Sequence, residues 1–377
     1  MDRAPRLIAL TALATVTLLS AHLDAAAQRT IKTKDGPIHA TRVAGGLAHP
    51  WGIAFLPDGR MLVTERPGRL RLIDGNGAVS PPLRGTPNVV VTDQGGLLDV
   101  ALSPSFKADR FVYLTYAEPG EGGASTAVAR GTLSAKENSI EGLAVIFRQT
   151  PKVEGPNHWG SRMVFAKDGK LFVTLGERFK FDPAQDTRTT FGAIVRIAAD
   201  GSAPIDNPFF GKKDTRPEIW SHGHRNVQGA AIHPTTGVLW AHEFGPRGGD
   251  ELNIIKAGKN YGWPLVSWGK HYDLRDIPDP PTRPDLEPPV KYWDPVISPS
   301  GMTFYTGDLF PKWRGNLLIG GLSAEAVVRL GLDGDKVVAE ERIGMGERVR
   351  AVAQAPDGSI VVLTDDDDDG AVIRLTP

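Results

Sequence analysis

Short apolar runs and polar turns alternate along the chain, and one phrase returns six times. It reads GIAFLPDGRMLVTE from Gly52, DVALSPSFKADRFVYLTYAE from Asp99, RMVFAKDGKLFVTLGE from Arg162 and GAAIHPTTGVLWAHE from Gly229. It comes back as GMTFYTGDLFPKWRGNLLIGG from Gly301 and AVAQAPDGSIVVLTDD from Ala351. Each copy is an apolar strand, a turn carrying Pro, Asp or Gly, and a second strand rich in Val, Leu and Phe, which is hairpin chemistry. Successive copies start roughly 47 to 72 residues apart, as blades with loop insertions would. The pattern predicts an all-β, six-bladed propeller of four-stranded antiparallel blades around a channel. The segments HATRVAGG and GAVIRLTP, near the two ends, are strand-like and are expected to share the closing blade, since closure protects sheet edges.

The first residues change the picture in one respect. Arg3 and Arg6 precede the apolar run LIALTALATVTLLSAHL, and Ala25-Ala26-Ala27 stand before Gln28. That is the pattern of a cleaved secretion signal, and the apolar part is short of the roughly 20 residues a span needs. Residues 1–27 are therefore expected to be removed on export to the periplasm. Residues 28–377 are left as one propeller domain, not embedded in a membrane.

Of 377 residues, 41% are hydrophobic and 23% charged, and the net charge is −1, so nothing electrostatic favours nucleic acid. The chain has no cysteine, which excludes thiol catalysis and a CxxCH haem site.

Propellers carry function in the loops at one mouth of the channel. Here those loops hold DQGGLL (Asp93 to Leu98), GPNHWGSRM with His158, HGHRNVQG with His222, His224, Arg225 and Asn226, EFGPRGGDELNIIKAGKNYGWP (Glu243 to Pro264) and ERVRAV. Arg348 and Arg350 are two apart, so on a strand both guanidinium groups share a face. They are either a solvated surface or a clamp for a multiply carboxylated ligand. His222 and His224 would also share a strand face, but no third ligand stands at a convincing spacing. His233, His242 and His271 read as structural. The run DDDDDG from Asp365 reads as a solvated acidic turn, since flanking helices and a closing Glu are missing. In GPRGGDELN the free backbone carbonyls around Pro246 and the nearby carboxylates suit Ca²⁺ better than a transition metal.

Taken in order, DQGGLL, NHWGSR, GHRNxQG, FGPRGGDELN, NYGWP and RVR resemble the soluble quinoprotein aldose sugar and glucose dehydrogenases that use pyrroloquinoline quinone (PQQ). The resemblance runs from about His49 to Leu375. It implies a six-bladed propeller that oxidises an aldose at C1 to the lactone. His158 would be the general base, hydride would pass to the quinone, and electrons would go to an external acceptor, a quinone or cytochrome. Gln94, Arg225 and Asn226 match cofactor contacts, and Arg348 and Arg350 match the pair on the quinone's carboxylates. Arg225 would also stabilise charge developing on the quinone oxygen. The carbonyls of Gly245 and Pro246 match ligands of the catalytic Ca²⁺. Glu251 and Tyr261 match a further Ca²⁺ site, and Tyr272 the cofactor or sugar pocket.

Two positions depart from the pattern. Ser323, in GGLS, stands where the family usually has a cofactor-binding lysine. Asn157 and Trp159 flank the histidine, where the glucose-specific branch often has an acidic residue before and a polar one after; the aromatic resembles the broad-range aldose branch. A monomer is expected from the shorter chain. Two other readings remain: a Ca²⁺-dependent lactonase or esterase on the same fold, with His158 activating water, and a non-catalytic binding propeller. Neither gives the arginine pair a role.

Overall fold

The computed structural model describes residues 28–377, so the expected secretion signal lies outside the described residues. Each copy of the phrase forms the first two strands of one blade, and six antiparallel sheets result. Blades 2 to 5 have four strands each, in chain order. Blade 1 is the three strands Pro50–Phe55, Met61–Glu65 and Arg69–Ile73, with Val79 bridged to Ile73. Blade 6 closes the ring as expected: Gly36–Leu47 pairs with Gly370–Thr376, and Gln28–Thr33 is added outside it. The six first strands neighbour one another in a ring around the channel.

Second strands read as unbroken apolar runs because neighbouring blades cover both their faces. Met61–Glu65, Leu171–Leu175, Leu239–Glu243, Leu317–Gly321 and Ile360–Thr364 are buried throughout. The core is accordingly divided into six main clusters, one between each pair of adjacent blades. Val63, Val361 and Leu363 meet between blades 1 and 6, and Val173, Met163 and Tyr113 between blades 2 and 3. Burying one such aliphatic side chain stabilises by about 1.5–3 kcal/mol.

Threonine hydroxyls stitch the blades on the channel side. Thr115 Oγ1 accepts from Asp99 N–H at 2.8 Å and donates to Ser161 O of the next blade at 2.8 Å. Thr174 accepts from Arg162 N–H at 2.9 Å and donates to Val227 O at 2.7 Å. Thr64 links Gly52 and Leu98 in the same way. His242 takes this position in blade 4. It is fully buried with neither ring nitrogen hydrogen-bonded among the described residues, and burial pushes its pKa down to about 3.

One irregularity recurs in every blade. The register of the first strand slips near its start, between Gly160 and Met163 in blade 3, and likewise after Pro50, Leu97, Val227, Pro299 and Val349. Such bulges turn the backbone and re-aim side chains. All six lie at the mouth where the loops singled out above converge.

Candidate active site at the channel mouth

The loop before blade 3 is held in a conformation few residues adopt. His158 has φ 57°, Gly160 φ 63° and Ser161 φ 90°, in the left-handed region that non-glycine residues rarely occupy. Two expected cofactor contacts brace it. Gln94 Oε1 accepts from His158 N–H at 2.9 Å, and Asn226 Oδ1 accepts from Gly160 N–H at 3.0 Å. Gly176 is obligatory opposite, because a Cβ there would lie 2.1 Å from His158 O.

The imidazole of His158 is buried, with Nδ1 2.6 Å from Glu177 Oε1. A carboxylate only accepts, so Nδ1 carries the proton and Nε2 presents its lone pair. Glu177 is itself fixed at its other oxygen by the N–H groups of Lys180 and Phe181, the latter at 2.9 Å. Burial, then the Arg225 cation, lowers the His158 pKa to about 4 against the pull of Glu177, so the ring is neutral at neutral pH.

Trp159 does not face a substrate. It is buried against Trp51, Leu98 and Ala117, its Nε1 donates to Pro156 O at 2.7 Å, and the Arg178 guanidinium lies 3.4 Å above its ring. Arg178 also donates to the carbonyls of Gly155 and Asn157, clamping the loop from below. The aromatic residue after the histidine therefore acts as a support for the loop. Phe179 stands edge-on to His158 at 5.0 Å between ring centroids, and Tyr272 lies 6.3 Å beyond it.

Arg225 donates from Nη1 to Gly245 O at 2.7 Å and from Nη2 to the Tyr272 hydroxyl at 3.2 Å, and its Nε is buried without a partner among the described residues. The turn at Gly245–Pro246 is set by Asp250, which accepts from Gly245 N–H at 2.9 Å and from Ile297 and Ser298 N–H at 2.8 Å each. Burial raises the Asp250 pKa to about 6. Beside this turn, Glu251 and Glu243 border a void of about 10 Å³ with Gly245 and Tyr261. Burial and the neighbouring Glu243 push the Glu251 carboxyl well up. The Tyr261 hydroxyl is committed to Ile254 O at 2.6 Å and Lys256 N–H at 2.8 Å, so only its main chain is available to a cation. Among the described residues, no three His, Cys, Asp or Glu side chains gather as a metal cage, so a cation here would need carbonyl ligands.

The histidine pair separates. The strand ends at Ser221, and Gly223, at φ 75°, breaks the alternation that would have put His222 and His224 on one face. His224 is locked by Glu243 at 2.8 Å and Ser221 at 2.9 Å, while His222 packs edge-on to Phe209.

A cleft of about 480 Å³ opens at the mouth, lined by Gln94, Arg348, Arg350, Ser298, Leu322 and, unforeseen from the sequence, Arg66 and Asp365. The two arginines of RVR do meet on one face, and what they meet is a carboxylate. Asp365 Oδ2 lies 2.5 Å from Arg350 and 3.6 Å from Arg348, and His49 Nδ1 is 2.9 Å from Oδ1. Arg350 also donates to Gln228 Oε1 at 2.9 Å. The acidic run is thus not wholly a solvated turn. The side chain of its first member is buried, which raises its pKa, yet Arg350, the His49 hydrogen bond and Arg66 hold it well below the usual carboxylate range, while Asp366 to Asp369 are exposed. Ser323 stands beside the cleft, its hydroxyl 2.8 Å from Ser298 Oγ.

Fold and site together define a six-bladed propeller with a buried, carboxylate-paired histidine beside an arginine-lined cleft. The chain belongs to the glucose/sorbosone dehydrogenase family, whose model matches residues 47–374. It is 44% identical to the aldose sugar dehydrogenase YliI of Escherichia coli over 337 residues, 88% of this chain and 91% of that one. A crystal structure of a glucose dehydrogenase superposes with a TM-score of 0.86 at 49% identity, covering 89% of this chain and 98% of the other. The PQQ-bound aldose sugar dehydrogenase of Streptomyces coelicolor gives 0.74 at 29% identity, covering 90% and 98%. Among the described residues no helix is long and apolar enough to cross a membrane.

Proposed function

We propose that the protein oxidises aldose sugars at C1 to lactones with PQQ and Ca²⁺, and passes the electrons to an external quinone or cytochrome. Family membership supports a sugar oxidoreductase, and the PQQ-bound relative supports this cofactor. The observation that carries the reading is His158: buried, neutral, and fixed at Nδ1 by Glu177 within reach of Arg225.

The residues fit both groups. A quinone bearing three carboxylates needs convergent cations, and Arg348 and Arg350 converge, with Arg350 Nε buried and unpartnered among the described residues. A hard cation needs oxygen. The carbonyl of Pro246 and the second lone pair of Gly245 O offer it to the catalytic Ca²⁺, and the Glu251 carboxyl with the Tyr261 main chain to a further one. When bound, the quinone supplies the hydride acceptor and the cation polarises its carbonyl. The chain does the rest. Nε2 of His158 takes the sugar's hydroxyl proton while Glu177 steadies the resulting imidazolium. Arg225 offers its free Nε–H to negative charge that develops as the reaction proceeds. Phe179 and Tyr272 give the sugar an apolar wall and help exclude water.

The leader with Arg3, Arg6 and Ala25–Ala27 supports export, and the reading is of a monomeric periplasmic enzyme of one propeller domain, 28–377. The test is direct. Purified protein given Ca²⁺, PQQ and an aldose should reduce a dye acceptor. His158→Ala should keep quinone binding and lose about 10²–10⁴ in turnover. Lactone hydrolysis without quinone-dependent dye reduction would replace this reading with the lactonase.

A further inference from the structure

We propose that Arg66 is the third cation of the quinone site and takes over the role of the lysine that Ser323 replaces. The inference rests on the PQQ reading of the cleft.

Arg66 follows the second strand of blade 1, at the channel mouth. Its main chain is tied on both sides: N–H donates to His49 O at 3.1 Å and its carbonyl accepts from Leu97 N–H at 3.0 Å. Gly96, at φ 141°, makes that approach possible, since a Cβ there would lie 2.1 Å from Arg66 O. The second glycine of DQGGLL thus lets blade 2 seat Arg66. The side chain lines the same cleft as Arg348 and Arg350. Nη1 donates to Asp93 O, and Nε is buried with no partner among the described residues.

Charge makes this arrangement informative. Three guanidinium groups border the cleft, and the carboxylate buried among them is Asp365; Asp93, Asp366 and Asp367 sit on its exposed rim, with Asp367 3.1 Å from His49. Burial lowers the Arg66 pKa even though Asp365 pulls it up, the mark of a guanidinium stripped of water at the cleft wall. A tricarboxylate ligand relieves that, because each added anion meets a guanidinium already in position. Across the cleft, Ser323 offers only a neutral hydroxyl, bonded to Ser298. The cation has moved from blade 5 to blade 1.

PQQ binding to the Ca²⁺-loaded protein, followed by quenching of intrinsic fluorescence, tests this without turnover. Arg66→Met should weaken binding about 10- to 100-fold, the worth of a charge-assisted hydrogen bond, and Arg66→Lys less. Ser323→Lys should restore most of the loss in the Arg66→Met background and change the wild type less than about threefold, since coupled sites are non-additive. Wild-type affinity in Arg66→Met, or no rescue by Ser323→Lys, overturns the inference. Should Arg66→Met not fold, Arg66→Lys with and without Ser323→Lys gives the same comparison. A wild type that binds no PQQ defeats the reading of the cleft itself, before any variant is compared.

Discussion

Nδ1 of His158 lies 2.6 Å from Glu177 Oε1, and both side chains are buried. The partners are 19 residues apart and on opposite sides of a hairpin. This one bond fixes the tautomer, points Nε2 outward and raises the basicity of a ring that burial would otherwise weaken.

Removing the carboxylate should therefore cut chemistry more than binding. Glu177→Leu is expected to lower kcat about 10- to 100-fold while leaving the affinity for PQQ within a fewfold of wild type. Steady-state rates set beside a quinone titration check this, and an unchanged kcat sinks the positioning role.

The pH profile should carry the mark of the same site. His158 is neutral down to about pH 4, so the acid limb of kcat/KM should fall with a midpoint near 4 instead of the usual 6.5. Arg225 is the leading charge that depresses this pKa, so Arg225→Met should move the limb towards neutral while also lowering the rate. A midpoint at 6.5 in the wild type would contradict the buried, neutral base.

Stability should depend on pH through the buried histidines. His158, His222 and His242 have folded pKa values of about 4, 4 and 3, below the unfolded value of 6.5. A lowered folded pKa means the unfolded chain binds the proton first. Their stability contribution is complete above about pH 6.5 and is lost as pH falls towards 3–4. The loss is at most about 1.4 kcal/mol per pH unit for each group. Denaturation midpoints measured from pH 7 to 4 should fall. His242→Thr, which installs the hydroxyl found in blades 1 to 3, should make the fall shallower.

The blade-stitching hydroxyls should matter for stability alone. Thr174→Val leaves Arg162 N–H and Val227 O without their bridge, a loss of about 1–3 kcal/mol. Thermal unfolding should report it as a lower Tm with the rate constant of the surviving enzyme unchanged.

Asp365 should trade stability against cofactor affinity. Asp365→Asn leaves Arg350 and Arg348 without their carboxylate, so the apo-protein should lose about 3 kcal/mol, as when a buried pair is broken. The same change removes a negative charge from the cleft, so PQQ should bind more tightly and recover part of the lost Tm. A variant that is destabilised and binds PQQ more weakly would show that Asp365 serves mainly to orient the arginines.

The architecture is written in the chain alone. Six copies of one apolar phrase specify six hairpins, because strand periodicity is local and each second strand must be covered on both faces. The residues that the motifs single out, Gln94, His158, Arg225, Asn226, Arg348 and Arg350, gather at one mouth. What each group touches there depends on the closed fold. Asp365 reads like its four acidic neighbours, and only the folded hairpin that pairs Val349 with Thr364 brings its side chain against Arg350 and buries it. Trp159 is legible only as an aromatic beside the histidine, and the bulge at Gly160 turns it into the core against Arg178. Glu177 closes one copy of the repeat, Asp250 lies inside GPRGGDELN and Arg66 follows a strand end, yet none of them reveals its partner, because the partners come from other strands or blades. Periodicity lies in adjacent residues; burial, ionic pairing and the pKa values that follow arise from strand ends and loops that meet only in the folded hairpins and the assembled ring.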